Sequence, residues 1–401
     1  AGFIVENLDP LGKMIQEGFH ITGVVPNNEA IVSVAQQVLG VETMSILVVG
    51  LVVNLLIARF TKFKYVFLTG HHSFFMACLL SAVLGTAGMK GMELILSGGF
   101  LLGAWSAISP AIGQRYTNRV TDGDGIAMGH FGSLAYYISA WVGSKVGNAK
   151  DSTENIEIPE KWGFLRDTTV STAITMTFFY LLAAIAAGPT YVGTLSGGMS
   201  PFLFAIMAGL KFAVGVTVVY SGVRMILGDL IPAFEGIATR VIPNAVPAVD
   251  CAVFFTYAPT AVVIGFVASF IGGIIGMLLL GVAGSILIIP GLVPHFFCGA
   301  TAGIFGNATG GRRGAAIGAF VNGLLISFTP ALLLPVLGSL GFQNTTFGDF
   351  DFGVLGIVIG SLANSFGEMG IFAILGLFLI VLVVPNFIQT KGKVINNPDE
   401  E

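Results

Sequence analysis

Nine apolar segments of this chain are long enough to cross a lipid bilayer as helices. About 20 apolar residues span the hydrocarbon core of a bilayer. Charged residues make up only 10% of the chain, whereas a soluble domain carries about 25%. The sequence therefore predicts an all-α polytopic membrane protein in contact with membrane lipid. The predicted crossings are residues 42–60, 73–89, 94–113, 168–187, 201–223, 257–282, 284–306, 314–338 and 370–388.

Basic residues recur after every second predicted crossing and orient the chain. Lys and Arg are enriched on the cytoplasmic side of membrane proteins. The clusters are Arg59 with Lys62 and Lys64, Arg115 with Arg119, Arg224 with Arg240, Arg312 with Arg313, and Lys391 with Lys393. We therefore predict that the chain starts outside and that its C-terminal end lies inside; Lys90 is the exception.

Residues 125–147 do not fit this alternation as a crossing. The segment is apolar apart from His130 and Lys145, but cationic residues lie both before it and in the polar stretch 148–167 after it. Both of its ends are then cytoplasmic, and we predict a re-entrant hairpin. Irregular backbone at membrane depth is tolerated where it lines protein or a water-filled cavity, which places His130 beside such a cavity. Residues 348–366 are predicted to form the equivalent hairpin later in the chain.

Similar phrases recur at an offset of about 220 residues and indicate an internal duplication. The matching phrases are Glu17-Gly18 with Glu235-Gly236, Val24-Val25-Pro26-Asn27 with Val241-Ile242-Pro243-Asn244, His71 with His295, and Asp122-Gly123-Asp124 with Asp349-Phe350-Asp351. The crossing after the first Pro-Asn phrase runs inward, and its counterpart runs outward. The halves therefore form an inverted repeat, a pattern common among transporters.

The repeat divides the chain into three parts. Residues 1–167 form the first repeat, residues 168–369 the second, and residues 370–401 the last crossing with a cytoplasmic tail. The second repeat has two crossings before Glu235, while the first has almost nothing before Glu17. We therefore expect two further N-terminal crossings in the intact protein, about eleven in all.

Ionisable residues inside apolar segments are the candidates for a binding site, because leaving one in lipid costs about 3 kcal/mol or more. Asp250 lies between Pro247 and Pro259 with no nearby charge of opposite sign. His71 opens a crossing, and His130 lies in the predicted hairpin. Asn28 and Glu29 occupy the position symmetric to Asp250 in the first repeat and are weaker candidates.

Several other function classes lack support in the sequence. The net charge of −4 provides no nucleic-acid-binding footprint. The three cysteines have no CxxC spacing, so neither a disulfide framework nor a zinc site is predicted. The glycines of 306–311 lack the order of a phosphate-binding loop. No cofactor, metal ligand or catalytic residue is predicted.

A set of motifs along nearly the whole chain resembles the ascorbate-type enzyme IIC of the bacterial phosphoenolpyruvate-dependent phosphotransferase system. The motifs are Val120-Thr121-Asp122-Gly123-Asp124-Gly125 with Gly129-His130, Val170-Ser171-Thr172-Ala173-Ile174, Arg240-Val241-Ile242-Pro243-Asn244, Asp250-Cys251-Ala252, and Gly284-Ser285-Ile286-Leu287-Ile288-Ile289-Pro290-Gly291. Together they are specific, although each alone is short.

The resemblance implies a homodimer in the bacterial inner membrane with an elevator-type mobile core. Carriers of this family bind ascorbate through histidines matching His71 and His130, an aspartate matching Asp250, and a backbone contact matching Gly2. This chain departs from them where Phe3 replaces Ser and where Phe75 and Phe131 replace Gln. Loss of hydrogen-bonding partners alters which hydroxylated substrate is accepted, so the substrate class is better defined than the substrate.

The same resemblance implies a division of labour. A cytosolic enzyme IIB carries the phosphocysteine donor and receives its phosphoryl group through enzyme IIA and the general phosphotransferase proteins. This chain would hold a small sugar-like solute for phosphorylation without supplying a catalytic residue. A proton- or sodium-coupled secondary transporter that uses Asp250 as its ion site is the alternative, and a channel or scaffold is less favoured.

Overall fold

The computed structural model describes residues 2–157, 160–161, 164, 167–337 and 345–387. These residues form twelve α-helices and five very short strands. In chain order the elements are α1 (Gly2–Gly18), β1 (Val25–Pro26), α2 (Asn28–Phe60), β2 (Tyr65–Phe67), α3 (Gly70–Thr86), α4 (Gly91–Thr121), β3 (Ala127–Met128), α5 (Ser133–Val146), α6 (Thr168–Ser196), α7 (Pro201–Arg240), β4 (Val246–Val249), α8 (Cys251–Phe254), α9 (Pro259–Val282), α10 (Leu292–Leu337), β5 (Thr345–Thr346), α11 (Phe350–Phe366) and α12 (Glu368–Phe387).

Local sequence signals set several of these helix starts. Asp167 accepts a hydrogen bond from the Val170 amide (3.0 Å), and Ser200 accepts one from the Leu203 amide (3.3 Å). Such N-caps satisfy amides that the first helical turn leaves without a partner. Pro259 occupies the start of α9, where a missing amide hydrogen costs nothing.

Seven helices of the described chain are long and apolar enough to cross a membrane: α2 from Leu39, α4, α6, α7 as far as Met225, α9, α10 and α12. The 46-residue α10 is two helices joined at a break at Gly311, and it contains the predicted crossings 284–306 and 314–338 except for residues 284–291 and residue 338, which lies outside the described residues. The predicted crossing 73–89 corresponds to α3, which has only 17 residues. The prediction of an all-α polytopic membrane protein is confirmed.

The segment predicted as a re-entrant hairpin consists of β3 followed by α5. With 14 residues, α5 is about 21 Å long, shorter than the roughly 30 Å hydrocarbon core. Before the segment, Asp124 accepts a hydrogen bond from the Tyr257 hydroxyl (2.8 Å); after it, Glu154 accepts one from the Thr260 amide (3.1 Å). Both ends therefore lie at the N-terminal end of α9, as a hairpin requires.

Two small parallel sheets join distant parts of the chain. In the first sheet, β4 lies between β2 and β3. In the second sheet, β1 pairs with β5, and Val24 beside β1 forms a bridge with Ile288. In the first sheet, β4 comes from the second predicted repeat and its neighbours β2 and β3 come from the first. In the second sheet, β1 comes from the first predicted repeat and its neighbours, β5 and Ile288, come from the second.

The two acidic phrases that looked equivalent in sequence occupy different places in this architecture. Asp122 and Asp124 precede β3, whereas Asp349 and Asp351 follow β5. Asp351 is the second residue of α11, and the second residue of α5 is Leu134, an offset of 217 rather than 227. The short acidic match therefore does not mark equivalent positions.

The first sheet lies where two hydrophobic cores meet. One core is formed mainly by α1 and α5–α10, and the other mainly by α2–α4, α11 and α12. Met128 and Val249 belong to the first core, while Ala127 and Ala248 belong to the second. Because successive side chains of a strand point to opposite faces, these strands have a core on each side, and the residues that follow them lie at the junction.

Candidate functional site

The first sheet brings three separate parts of the chain to one edge. Phe67 pairs with Ala248 and Met128 pairs with Val249, in parallel register. Because all three strands run in the same direction, the residues that follow them emerge at the same edge. His71, His130 and Asp250 are among those residues, although they are separated by up to 179 positions in sequence (250 minus 71).

His71 and Asp250 contact one another directly. Nε2 of His71 lies 3.4 Å from a carboxylate oxygen of Asp250, and the side chains are 55% and 32% exposed. Ligating atoms of His130, Asp250 and Cys251 all lie within 4.8 Å of one another. The three strongest candidates from the sequence therefore meet in one partly open cluster.

Hydrogen bonds within its own loop fix the donor and acceptor nitrogens of His130. Nδ1 accepts a hydrogen bond from the Gly132 amide (3.1 Å) and lies 2.8 Å from the Tyr136 hydroxyl. Since a backbone amide can only donate, Nδ1 carries no proton in the neutral ring. Nε2 then carries the proton, and His130 presents a hydrogen-bond donor from a buried position.

Three helices begin at this cluster. They are α3, which carries His71, α5, which follows His130, and α8, which is capped by Asp250 through a 3.4 Å hydrogen bond from the Ala252 amide. Helix N-termini carry partial positive charge and unpaired amides. Because amides at the starts of α5 and α8 are already bonded, the groups the site offers are a carboxylate and imidazoles, which suit a small polar solute with several oxygen atoms.

The two phenylalanines predicted at the site have different roles. Phe75 is partly exposed, and its ring lies edge-on to His71 at a centroid distance of 5.9 Å. Phe131 is fully buried and stacks on Phe67 at 4.6 Å. Phe75 therefore adjoins His71, whereas Phe131 packs in the core against the first sheet. The predicted contacts of both residues with a solute stay predictions.

The remaining sequence candidates are Asn28, Gly2, Phe3 and Glu29. Asn28 donates a 2.6 Å hydrogen bond to Asp349, beside the second sheet. Gly2 and Phe3 open α1 and Glu29 lies in the first turn of α2, but their side-chain environments fall outside the described part of the structure. The predicted roles of Gly2, Phe3 and Glu29 stay predictions.

Two residues that sequence reasoning did not place at the site lie next to it. His72 is buried with its ring 3.8 Å from that of His130, and ligating atoms of His72, His130 and Asp349 lie within 4.8 Å of one another. His72 adjoins a predicted residue, and Asp349 was part of a recognised repeat phrase. The adjacency of His72 to His71 and the repeat phrase that contains Asp349 could be read from the sequence. The strand pairing that brings His72 and Asp349 together could not.

Comparison with known proteins assigns the chain to a family. Residues 1–351 match the family model EIIC-GAT, described as the PTS system sugar-specific permease component. The chain is also 26% identical over 370 residues to the ascorbate-specific PTS system EIIC component of Mycoplasma pneumoniae. That match covers 80% of this chain and 54% of the relative, so the chain spans about half the length of the relative it matches. The chain belongs to the family of PTS sugar-specific permease components and is a multi-pass protein of the bacterial inner membrane.

Proposed function

We propose that this chain binds ascorbate or a related sugar-like solute at His71, His130 and Asp250 and carries it across the inner membrane for phosphorylation by a cytosolic enzyme IIB. The observation that carries the proposal is the convergence of these three side chains at the edge of the first sheet. Family membership and the ascorbate specificity of the Mycoplasma relative support the substrate class.

The donors and acceptors of the cluster suit such a solute. Asp250 can accept a hydrogen bond from a hydroxyl, while Nε2–H of His130 can donate one to an oxygen. The edge of Phe75 lies beside His71, where the ascorbate carriers that this chain resembles have an amide side chain. A solute with fewer hydroxyls on that side than ascorbate is therefore a candidate too.

An inverted repeat with an elevator-type movement is part of the proposal. The strand exchange between the two sheets supports it, since a two-fold relation between the halves would produce that pattern. The contacts of α6 and α7 with α8–α10 include many aromatic pairs, among them Phe179 with Phe270 (5.8 Å) and Phe212 with Phe296 (4.9 Å). An aromatic contact surface between α6–α7 and α8–α10 can slide with few hydrogen bonds to break. In this proposal α6 and α7 also form the homodimer scaffold.

Reconstituted vesicles test the function. The intact protein is inserted with ascorbate, ribitol or galactitol outside, and enzyme IIB, enzyme IIA, the general phosphotransferase proteins and phosphoenolpyruvate inside. Phosphorylated solute is expected in the lumen, and omission of enzyme IIB should abolish it. Accumulation of unmodified solute driven by a proton or sodium gradient would instead support the coupled-transporter alternative, in which Asp250 is the ion site.

A further inference from the structure

His72 is a buried imidazole with an unexplained polar atom. It is 4% exposed, and Nδ1 has no hydrogen-bond partner among the described residues. Its ring is stacked on Phe352 at 5.7 Å and packs against His130 at 3.8 Å. A buried polar atom left without a partner costs roughly 1–3 kcal/mol. The packing fixes the orientation of the His72 ring and leaves Nδ1 without a hydrogen-bond partner among the described residues.

The carboxylate of Asp349 lies close to His72 and His130 and does not cap its own helix. It occupies the N-cap position of α11, yet its side chain makes no capping bond within the described chain. Its carboxylate instead accepts hydrogen bonds from Nδ2 of Asn28 (2.6 Å) and Sγ of Cys298 (2.9 Å). An N-cap contributes about 1 kcal/mol, and α11 lacks this contribution from Asp349. Hydrogen bonds from α2 and α10 instead hold the carboxylate close to the histidines.

Asp351 shows that the missing cap is particular to Asp349. Two residues further on, Asp351 accepts bonds from the Ser133 hydroxyl (2.9 Å) and the Leu134 amide (3.0 Å) and so caps α5. Both aspartates are buried. Each carboxylate accepts one hydrogen bond on each oxygen and retains acceptor capacity, because each oxygen has two lone pairs. Asp351 is bonded to α5, whereas Asp349 lies within 4.8 Å of ligating atoms of His72 and His130.

The protonation of His130 distinguishes between two possible occupants. A metal ion would need an unprotonated nitrogen from His130, but Nδ1 already accepts the Gly132 amide and a metal-binding histidine normally donates from its second nitrogen. A hydroxyl fits better, since it can accept hydrogen bonds from Nε2–H of His130 and from a protonated Nδ1 of His72 and can donate its own proton to Asp349. Each of these groups then gains a complementary partner.

We propose that His72, His130 and Asp349 form a buried hydroxyl-binding subsite below the His71–Asp250 pair, so that the solute carries two adjacent hydroxyls, one on each side of His130. The inference rests on the proposed function and narrows it to vicinal diols. His130 belongs both to the group with Asp250 and Cys251 and to the group with His72 and Asp349, and each group is within 4.8 Å. Asn28 and Cys298 act as positioning residues.

Calorimetric titration of the purified chain tests this subsite. Ribitol and L-ascorbate are each compared with a monodeoxy counterpart, 2-deoxyribitol in the first case. We expect His72→Ala and Asp349→Asn to weaken the complete probe about 5- to 150-fold, the equivalent of roughly 1–3 kcal/mol. The affinity for the deoxy counterpart should fall far less, so the ratio of the affinity for the complete probe to that for its deoxy counterpart should fall toward one.

Matched variants separate binding from folding. Asp351→Asn removes an equally buried carboxylate two residues away and should lower the melting temperature without changing that ratio. His72→Phe keeps the ring that stacks on Phe352 but removes both nitrogens, so it should reproduce the binding effect of His72→Ala in a folded protein.

The outcomes are distinguishable. If the wild-type chain binds neither ribitol nor ascorbate, the proposed function and the subsite both fail. If it binds them and His71→Ala weakens binding, while His72→Phe and Asp349→Asn leave the affinity ratio unchanged, only the subsite fails. Tight binding of zinc that His72→Phe abolishes would overturn the hydroxyl subsite in favour of a metal site.

Discussion

In the first sheet β4 lies between β2 and β3, and in the second sheet β1 lies between β5 and the bridge at Ile288. Helices begin just after the strands in both. In the first sheet the adjoining polar residues include a partly exposed pair, His71 and Asp250. Beside the second sheet, Asn28 is bonded to Asp349 and to the Gly348 amide (2.9 Å). Similar frameworks thus carry a partly exposed polar pair in one case and a pair bonded between two helices in the other.

The largest effect is expected at the backbone of the first sheet. A Cβ atom added to Gly129 would overlap the carbonyl group of Ala248. A neighbouring backbone cannot yield as a flexible side chain can, so Gly129→Val should cost about 3 kcal/mol or more and prevent folding. Detergent-extracted yield and melting temperature measure this. Gly70→Ala has open space for its methyl group and serves as the control; equal losses in both variants would contradict the prediction.

A smaller but specific effect is expected from the side chains at that sheet. Asp250→Asn, His71→Ala and His130→Ala should each weaken solute binding by about 5- to 150-fold, because each leaves partners unsatisfied at roughly 1–3 kcal/mol. Calorimetry with the best-bound solute of an ascorbate, pentitol and hexitol screen measures this. Oligomeric state and expression should stay unchanged. Unchanged affinity in all three variants would refute the proposed site.

A substitution beside the second sheet should affect the stability of the fold more than solute affinity. Asn28→Ala removes the partner of an Asp349 carboxylate oxygen, which should lower the stability of the fold by roughly 1–3 kcal/mol. Solute affinity should fall less than in Asp250→Asn, since Cys298 still holds the other oxygen of Asp349. Thermal unfolding and calorimetry on one preparation give both values. A full loss of affinity without loss of stability would remove the distinction between the sheets.

The smallest effect on stability is expected from labelling probes at the ends of 125–147. Asp122→Cys and Lys150→Cys lie at exposed positions, whereas the native Cys78, Cys251 and Cys298 are buried. Both new thiols should react with an impermeant reagent from the cytoplasmic side only, because both ends of the segment meet the N-terminal end of α9. Reaction from opposite sides would show that the segment crosses the membrane.

Residues that act within their own segment were predictable from the sequence. The apolar runs determined the membrane class because burial of a long helix in lipid depends only on local composition. The polarity of residues 148–167 on the far side of a short apolar segment indicated the hairpin. Asp250, His71 and His130 stood out because ionisable groups are costly in apolar surroundings. The chance similarity of two acidic phrases was misleading, because Asp122 and Asp349 lie on opposite sides of their strands.

The composition of the site was decided by tertiary structure. Strand pairing over distances of about 120 to 180 residues places β4 between β2 and β3, and only that pairing brings Asp250 to His71. Phe131 was a candidate contact in sequence, but stacking on Phe67 makes it part of the core. Asp349 and Asp351 look alike in sequence; one caps α5 and the other is directed toward the histidines, because hydrogen bonds from distant helices orient each carboxylate.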